Sequence, residues 1–201
     1  MRRIFYILSP TRIIIDFIKS HIIAKQKRAD CISLWIYFWL LYSIALTVMI
    51  QFLTIYQIHI CDYVYVTAVS IAISRINEIM YAYLSDALGR ISQHDSEFDL
   101  FPPAQRVSFI GTSYVELAEH FALLAYATQQ LADTDKIQTY NHKFTSIFDA
   151  TYFSVMTITT TGYGDIYPTY SISKIISMYE PLTGVVLFAL ALGVYLSAKP
   201  K

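Results

Sequence analysis

From Ile32 to Ile60 the chain runs for twenty-nine residues without an Asp, Glu, Lys or Arg. About 20 apolar residues in a helix cross the hydrocarbon core of a bilayer. In lipid every backbone N–H and C=O must be bonded inside the structure, so a single crossing segment has to be a helix. A run of this length therefore commits the chain to a membrane. Trp35, Tyr37 and Trp39 stand at its start, where an interfacial aromatic belt belongs. Composition agrees: 55% of the residues are apolar, 15% are charged, and fifteen Lys+Arg balance fifteen Asp+Glu. Such a chain is neither disordered nor a nucleic-acid binder held by a basic patch.

Three more spans follow. Tyr63 to Leu84 is apolar around Arg75 and Glu78, Val107 to Leu131 carries Glu116, Glu119 and His120, and Thr169 to Ala198 carries Lys174, Glu180 and Pro181. The first two form a hairpin. Ahead of them, Ile14, Phe17, Ile18 and Ile22 share one helical face against Arg12, Asp16 and Lys19. This reads either as a helix in the membrane interface or as a basic topology signal without fixed structure. The apolar stretch Ile4–Leu8 is too short for a signal-peptide core. Cys31 and Cys61 bracket the first span, too far apart along a helix to bridge, and read as free thiols. With the N-terminus inside, the inner segments hold eleven Lys/Arg and the outer ones three (Lys136, Lys143 and Lys174). The positive-inside rule then puts both termini in the cytoplasm of a multi-pass protein, with the plasma membrane as its expected location.

Phe144 to Ile158 is apolar but too short to cross, and Thr159 to Asp165 reads T-T-T-G-Y-G-D. Between two spans, this half-crossing must re-enter from outside, and irregular backbone at membrane depth is tolerated only where it is buried or lines water. A dehydrated K⁺ needs a cage of oxygens, which backbone carbonyls of an extended loop can supply. Pointing successive carbonyls inward needs unusual angles at alternate residues, which Gly takes without strain. Gly162 and Gly164 have that spacing. Ser146 and Asp149 form a capping-box-like start for a short helix reaching Thr157, whose C-terminal end favours a cation.

Residues 152–165, Y-F-S-V-M-T-I-T-T-T-G-Y-G-D, resemble the pore helix and selectivity filter of tetrameric potassium channels, whose filter reads T-V-G-Y-G-D. The third and fourth spans resemble that family's outer and inner helices. The resemblance covers about half of the chain, from Pro103 to Ala198. It implies a homotetramer in a lipid bilayer, with K⁺ as permeant ligand and no cofactor or enzymatic activity. It implies filter ligands at Thr160, Thr161, Gly162, Tyr163 and Gly164, filter support from Asp165, Tyr152 and Thr157, and a gate hinge at Gly184 or Pro181. Gly184 reads equally as close helix packing, and Gly193 as packing. Pro181 costs the helix its bond to the Ser177 carbonyl. Thr161 stands where the family has Val, Tyr152 and Phe153 where many members have two Trp, and Met156 where some have Glu. Tyr152 can still bond Asp165; Phe153 cannot bond Tyr163. The Thr161 hydroxyl should find a pore-helix partner or a trapped water.

The expected fold is an all-α integral membrane protein with four transmembrane helices per subunit, a re-entrant pore helix and a filter loop. Its parts are a basic cytoplasmic or interfacial segment at 1–30, a transmembrane hairpin at 31–89, a cytoplasmic loop at 90–102 and the pore domain at 103–201. One Arg in the hairpin is too few for a voltage sensor, which needs several at regular spacing. The expected function is passive, K⁺-selective conduction not gated by an arginine sensor. The alternatives are a weakly selective monovalent cation channel, a potassium-transporter subunit and a non-conducting accessory subunit. Inside the membrane, Arg75 has Glu78 one turn away. Helical rise also brings Arg75 and Glu116 to similar depths, so that Arg75 is expected to reach Glu116 as well.

Overall fold

The computed structural model describes residues 9–22, 24–58, 60–91, 101–134 and 137–197. Six helices carry the chain: α1 (Pro10–Ser20), α2 (Lys25–Ile55), α3 (Asp62–Ile91), α4 (Pro103–Thr134), α5 (Ile147–Ile158) and α6 (Ser171–Ser197). Among the described residues the only β pairing is an isolated bridge between Tyr140 and Pro168.

The central element is α4, which packs against α2, α3, α5 and α6. Alanines buried on α3 (Ala68 and Ala72) and on α4 (Ala118, Ala122 and Ala125) let helix backbones approach closely, as in membrane bundles. The sidedness of α2 is the reverse of a soluble helix. Leu34, Leu41, Val48 and Ile55, spaced by seven, are each more than half exposed, while Ser43 and Thr47 are buried. Apolar residues outward and hydroxyls inward suit a helix whose solvent is lipid. The inward hydroxyls find partners: Thr47 donates to Glu119 (2.9 Å), and Thr54 lies 3.2 Å from the Tyr126 hydroxyl.

By length and hydropathy alone, α2 and Ser171–Leu190 of α6 suffice to cross a membrane, and α5 is too short. The charged residues of α3 and α4 keep them below that measure. Their place as the second and third spans rests on how those charges are paired.

The N-terminal boundary differs from the sequence expectation. Helix α2 begins at Lys25, so Lys25, Lys27 and Arg28 belong to its first turns rather than to a preceding segment. Arg28 turns back to donate to the carbonyls of Lys19 and Ile22, which end α1 and the turn after it. Helix α1 is also tied to the bundle. Ser9 donates to the Ser74 carbonyl, and Thr11 bonds the Ser74 hydroxyl through its amide and its own hydroxyl. It is docked along α3, with Ile13, Ile14 and Phe17 outward. Most of the expected 90–102 loop and the end of the 103–201 pore domain lie outside the described residues.

Candidate functional site

The site begins at the start of α5. Ser146 Oγ accepts from the Asp149 amide, and Asp149 Oδ2 accepts from the amides of Ser146 (3.0 Å) and Thr145 (2.7 Å) and the Thr145 hydroxyl. Burial pulls the Asp149 carboxyl upward, but these bonds outweigh it and hold the group below the usual carboxylate range. Beneath the helix, Phe153 packs on Tyr140 and Phe144, with ring centroids 5.2 and 6.1 Å away. Phe153 therefore belongs to the core and braces nothing in the loop.

The C-terminal end of α5 is where the loop takes its shape. A helix leaves its last four carbonyls unbonded. Here the amide of Thr159 returns to the Val155 carbonyl, that of Thr160 to Thr157 and that of Gly162 to Met156 (3.0 Å). Thr160, Gly162 and Gly164 have φ of +58°, +53° and +78°, while Thr161 and Tyr163 between them do not enter the positive region. Alternating hand turns amides to one side and carbonyls to the other. Among the described residues none of the carbonyls from Thr160 to Gly164 accepts a hydrogen bond, and all five residues are exposed. The sequence marks the two glycines, but the left-handed set starts one step earlier, at Thr160. A non-glycine residue there stores about 1–3 kcal/mol of strain. The Thr161 hydroxyl lies 2.9 Å from that of Thr159, which donates to the Val155 carbonyl, so the polar side chain is tied to the helix cap.

The loop's exit is held from two sides. Tyr152 donates to Asp165 Oδ2 at 2.9 Å. Asn141 donates to the Asp165 carbonyl (2.8 Å) and accepts from the Tyr167 amide. Asn141 was not singled out by sequence; it lies 24 residues before Asp165 and no local pattern marks it. Thr157 spends its hydroxyl on the Phe153 carbonyl within its own helix.

On α6, Pro181 lies inside a continuous helix. A Cβ at Gly184 would stand 2.8 Å from both Cγ1 and the carbonyl oxygen of Ile158. A side chain at Gly184 would fill this close approach of α6 to the end of α5. Gly193 has nothing within 4 Å of a built Cβ among the described residues. One turn before Gly184, Glu180 is 1% exposed and hydrogen-bonded to Ser154 of α5. The sequence shows a carboxyl in a span; its partner becomes visible only in the fold.

The intramembrane charges meet. Arg75 donates through Nε (2.9 Å) and Nη2 (2.7 Å) to Glu116 Oε1, and its Nη1 lies 2.5 Å from Glu78 Oε2. The local partner and the distant one are both used. Trp35 donates to Glu78 at 2.8 Å, the Trp39 ring lies 4.7 Å from the guanidinium carbon, and His120 Nε2 lies 3.5 Å from Glu116.

Residues 113–198 match a protein-family model described as an ion channel. A voltage-gated potassium channel from Aeropyrum pernix is 42% identical over 53 residues, which are 26% of this chain. The aligned stretch spans 18% of that relative's own length. No solved structure matches the chain.

Proposed function

We infer that this all-α membrane protein, whose residues 113–198 match an ion-channel family model, conducts K⁺ passively across a membrane through a filter completed by four copies of itself. The observation that carries the reading is the loop after α5. Thr160 to Gly164 are five successive exposed residues whose carbonyls accept no hydrogen bond among the described residues, on a backbone of alternating hand. At membrane depth such oxygens need a cation or water. A single loop contributes one side of a cage, so the full coordination of a dehydrated ion requires more copies.

Support for assembly comes from α6. Ile175, Met178, Leu182, Val185 and Phe188 are each more than half exposed, an apolar face that neighbouring subunits would cover. The similarity to a potassium channel supports the choice of ion. The two termini are read as cytoplasmic and the host membrane as the cell membrane, on the distribution of Lys and Arg. Conduction is not driven by an arginine sensor, because Arg75 is fixed between Glu78 and Glu116.

Purified protein in a planar bilayer tests the reading. With K⁺ on one side and Na⁺ on the other, the reversal potential should lie near the K⁺ limit, and current should vary weakly with voltage. Gly162→Ala should abolish current while the assembly remains intact, since φ of +53° resists a Cβ. A reversal potential indifferent to exchanging Na⁺ for K⁺ refutes the selective filter in favour of a weakly selective cation pore.

A further inference from the structure

Behind the loop, three helices are stacked in two layers with a common spacing of four residues. In one layer the Tyr114 hydroxyl of α4 donates to the Ile158 carbonyl of α5 (3.0 Å), against which Gly184 of α6 packs. In the other, Ser154 of α5 touches the Ala118 carbonyl of α4 (2.7 Å) and the Glu180 carboxyl of α6. Tyr114 and Ala118, Ser154 and Ile158, and Glu180 and Gly184 are each one turn apart, so the layers are held in register. Ile158 is two residues before Thr160, where the left-handed backbone begins.

The second layer poses a proton count. Ser154 Oγ is within hydrogen-bond distance of two oxygens, and a hydroxyl has one proton to give. The Ala118 carbonyl is acceptor only. If Ser154 donates to it, the contact with Glu180 is a hydrogen bond only when the carboxyl carries a proton and donates to Ser154 Oγ. Solvation points the same way. Ser154 and Glu180 are 0% and 1% exposed, and an unpaired carboxylate at such a place is costly. The groups that face Glu180 are hydroxyls. Its titratable neighbours are two tyrosines, Tyr114 from α4 and Tyr140 from the segment before α5, and Thr183 of its own helix donates to the Glu180 carbonyl. Among the described residues no Lys, Arg or His is hydrogen-bonded or ion-paired to it.

We propose that Glu180 is a neutral carboxylic acid that latches the inner helix to the pore helix behind the filter, and that losing this proton releases the latch. Pro181 follows directly and deprives the helix of one bond at that point. The latch thus joins the weakest turn of α6 to the helix that shapes the loop. An ionised Glu180 has no donor but the single Ser154 proton, which Ala118 also claims, and it carries a charge with no counter-ion. Alkaline conditions should therefore separate α6 from α5 and disorder the carbonyl cage. Glu180 is a positioning residue and touches no permeant ion. Its effect on conduction rests on the channel reading above.

Infrared difference spectroscopy of the purified protein tests the protonation without requiring current. Wild type should show a protonated-carboxyl stretch at neutral pH that Glu180→Gln removes, that Ser154→Ala shifts by taking away its partner, and that fades on alkalinisation. K⁺ efflux from proteoliposomes reads the consequence. Wild-type flux should fall about tenfold over the pH range in which the band fades, the equivalent of about 1.4 kcal/mol. Glu180→Gln, whose amide still donates, should conduct across that range without the fall. Absence of the band at neutral pH overturns the proposal whatever the flux. An alkaline fall retained in Glu180→Gln overturns it too, by assigning the titration to another group. A band that behaves as stated in a protein passing no K⁺ supports the latch and overturns the conducting reading instead.

Discussion

Replacing Arg75 by Leu should be among the most damaging single changes outside the loop. The side chains of Arg75 and Glu116 are 3% and 0% exposed, and the guanidinium makes two bonds to one Glu116 oxygen and a third contact to Glu78. Removing one partner of a buried pair costs about 3–5 kcal/mol, because the other charge is stranded. The structure makes the two halves unequal. Arg75→Leu strands two carboxylates and belongs near 5 kcal/mol. Glu116→Leu leaves Arg75 with Glu78 and the Trp39 face and belongs near 3 kcal/mol on the same scale. For a chain of this size each kcal/mol moves the melting midpoint by about 2–4 °C, so the expected drops are about 10–20 °C and about 6–12 °C. In the double variant only Glu78 is left, still holding the Trp35 N–H. Its loss should fall short of the sum by about 2–3 kcal/mol, within the range of directly interacting pairs. Circular dichroism of detergent-solubilised protein at a fixed scan rate reads these midpoints. A double variant that loses the plain sum of the single losses refutes the coupling, and with it the attachment of α3 to α4 through Arg75.

Two further outcomes follow from local geometry. Gly184→Ala places a Cβ 2.8 Å from a backbone oxygen that cannot rotate away; overpacking of about 1–3 kcal/mol should lower both melting midpoint and K⁺ flux. Gly193→Ala, with open space around it, is the control; equal behaviour of the two variants rules out the tight contact. Asp149 is held below its ordinary value of 3.8 by the bonds from Thr145 and Ser146, so its contribution is present above that pH and is lost as pH falls through the lower folded value. Asp149→Ala should melt below wild type at neutral pH by a cap's worth, about 0.5–2 kcal/mol. The gap should close in strong acid, and a gap unchanged by acid would assign the loss to something other than the carboxylate.

What could be read before the fold was known divides by the range of the interaction. The capping box at Ser146 and Asp149 and the paired glycines of the loop are local, and sequence spacing suffices for both. The depth match of Arg75 and Glu116 is not local, but a helix rises by a fixed amount per residue and a bilayer has a fixed thickness, so counting from the span ends brings them level. Asn141 escapes such counting. It reaches Asp165 and Tyr167 through an irregular segment whose path no period describes. The start of α2 escaped for another reason. Lys25, Lys27 and Arg28 suit either a helix end at the interface or a segment before it, and only the return of Arg28 onto the end of α1 decides between them. Gly184 carries two readings because a glycine in a helix serves both packing and bending; the position of Ile158 bears on the packing alone.

Two carboxyls buried to the same degree show why partners, rather than depth, decide the behaviour of charge in this bundle. Glu116 and Glu180 are 0% and 1% exposed, and both project from helices of the pore domain. Glu116 meets a guanidinium, which satisfies it as an anion and cannot be deprotonated in a protein. That pair fixes α3 to α4. Glu180 meets a serine hydroxyl whose one proton it shares with the Ala118 carbonyl, and a second hydrogen bond forms there only if the carboxyl is an acid. That arrangement has two charge states separated by a single proton, and it joins α6 to α5. The hairpin is therefore attached through a charge that meets its counter-ion, and the helix behind the loop through a carboxyl that meets a hydroxyl.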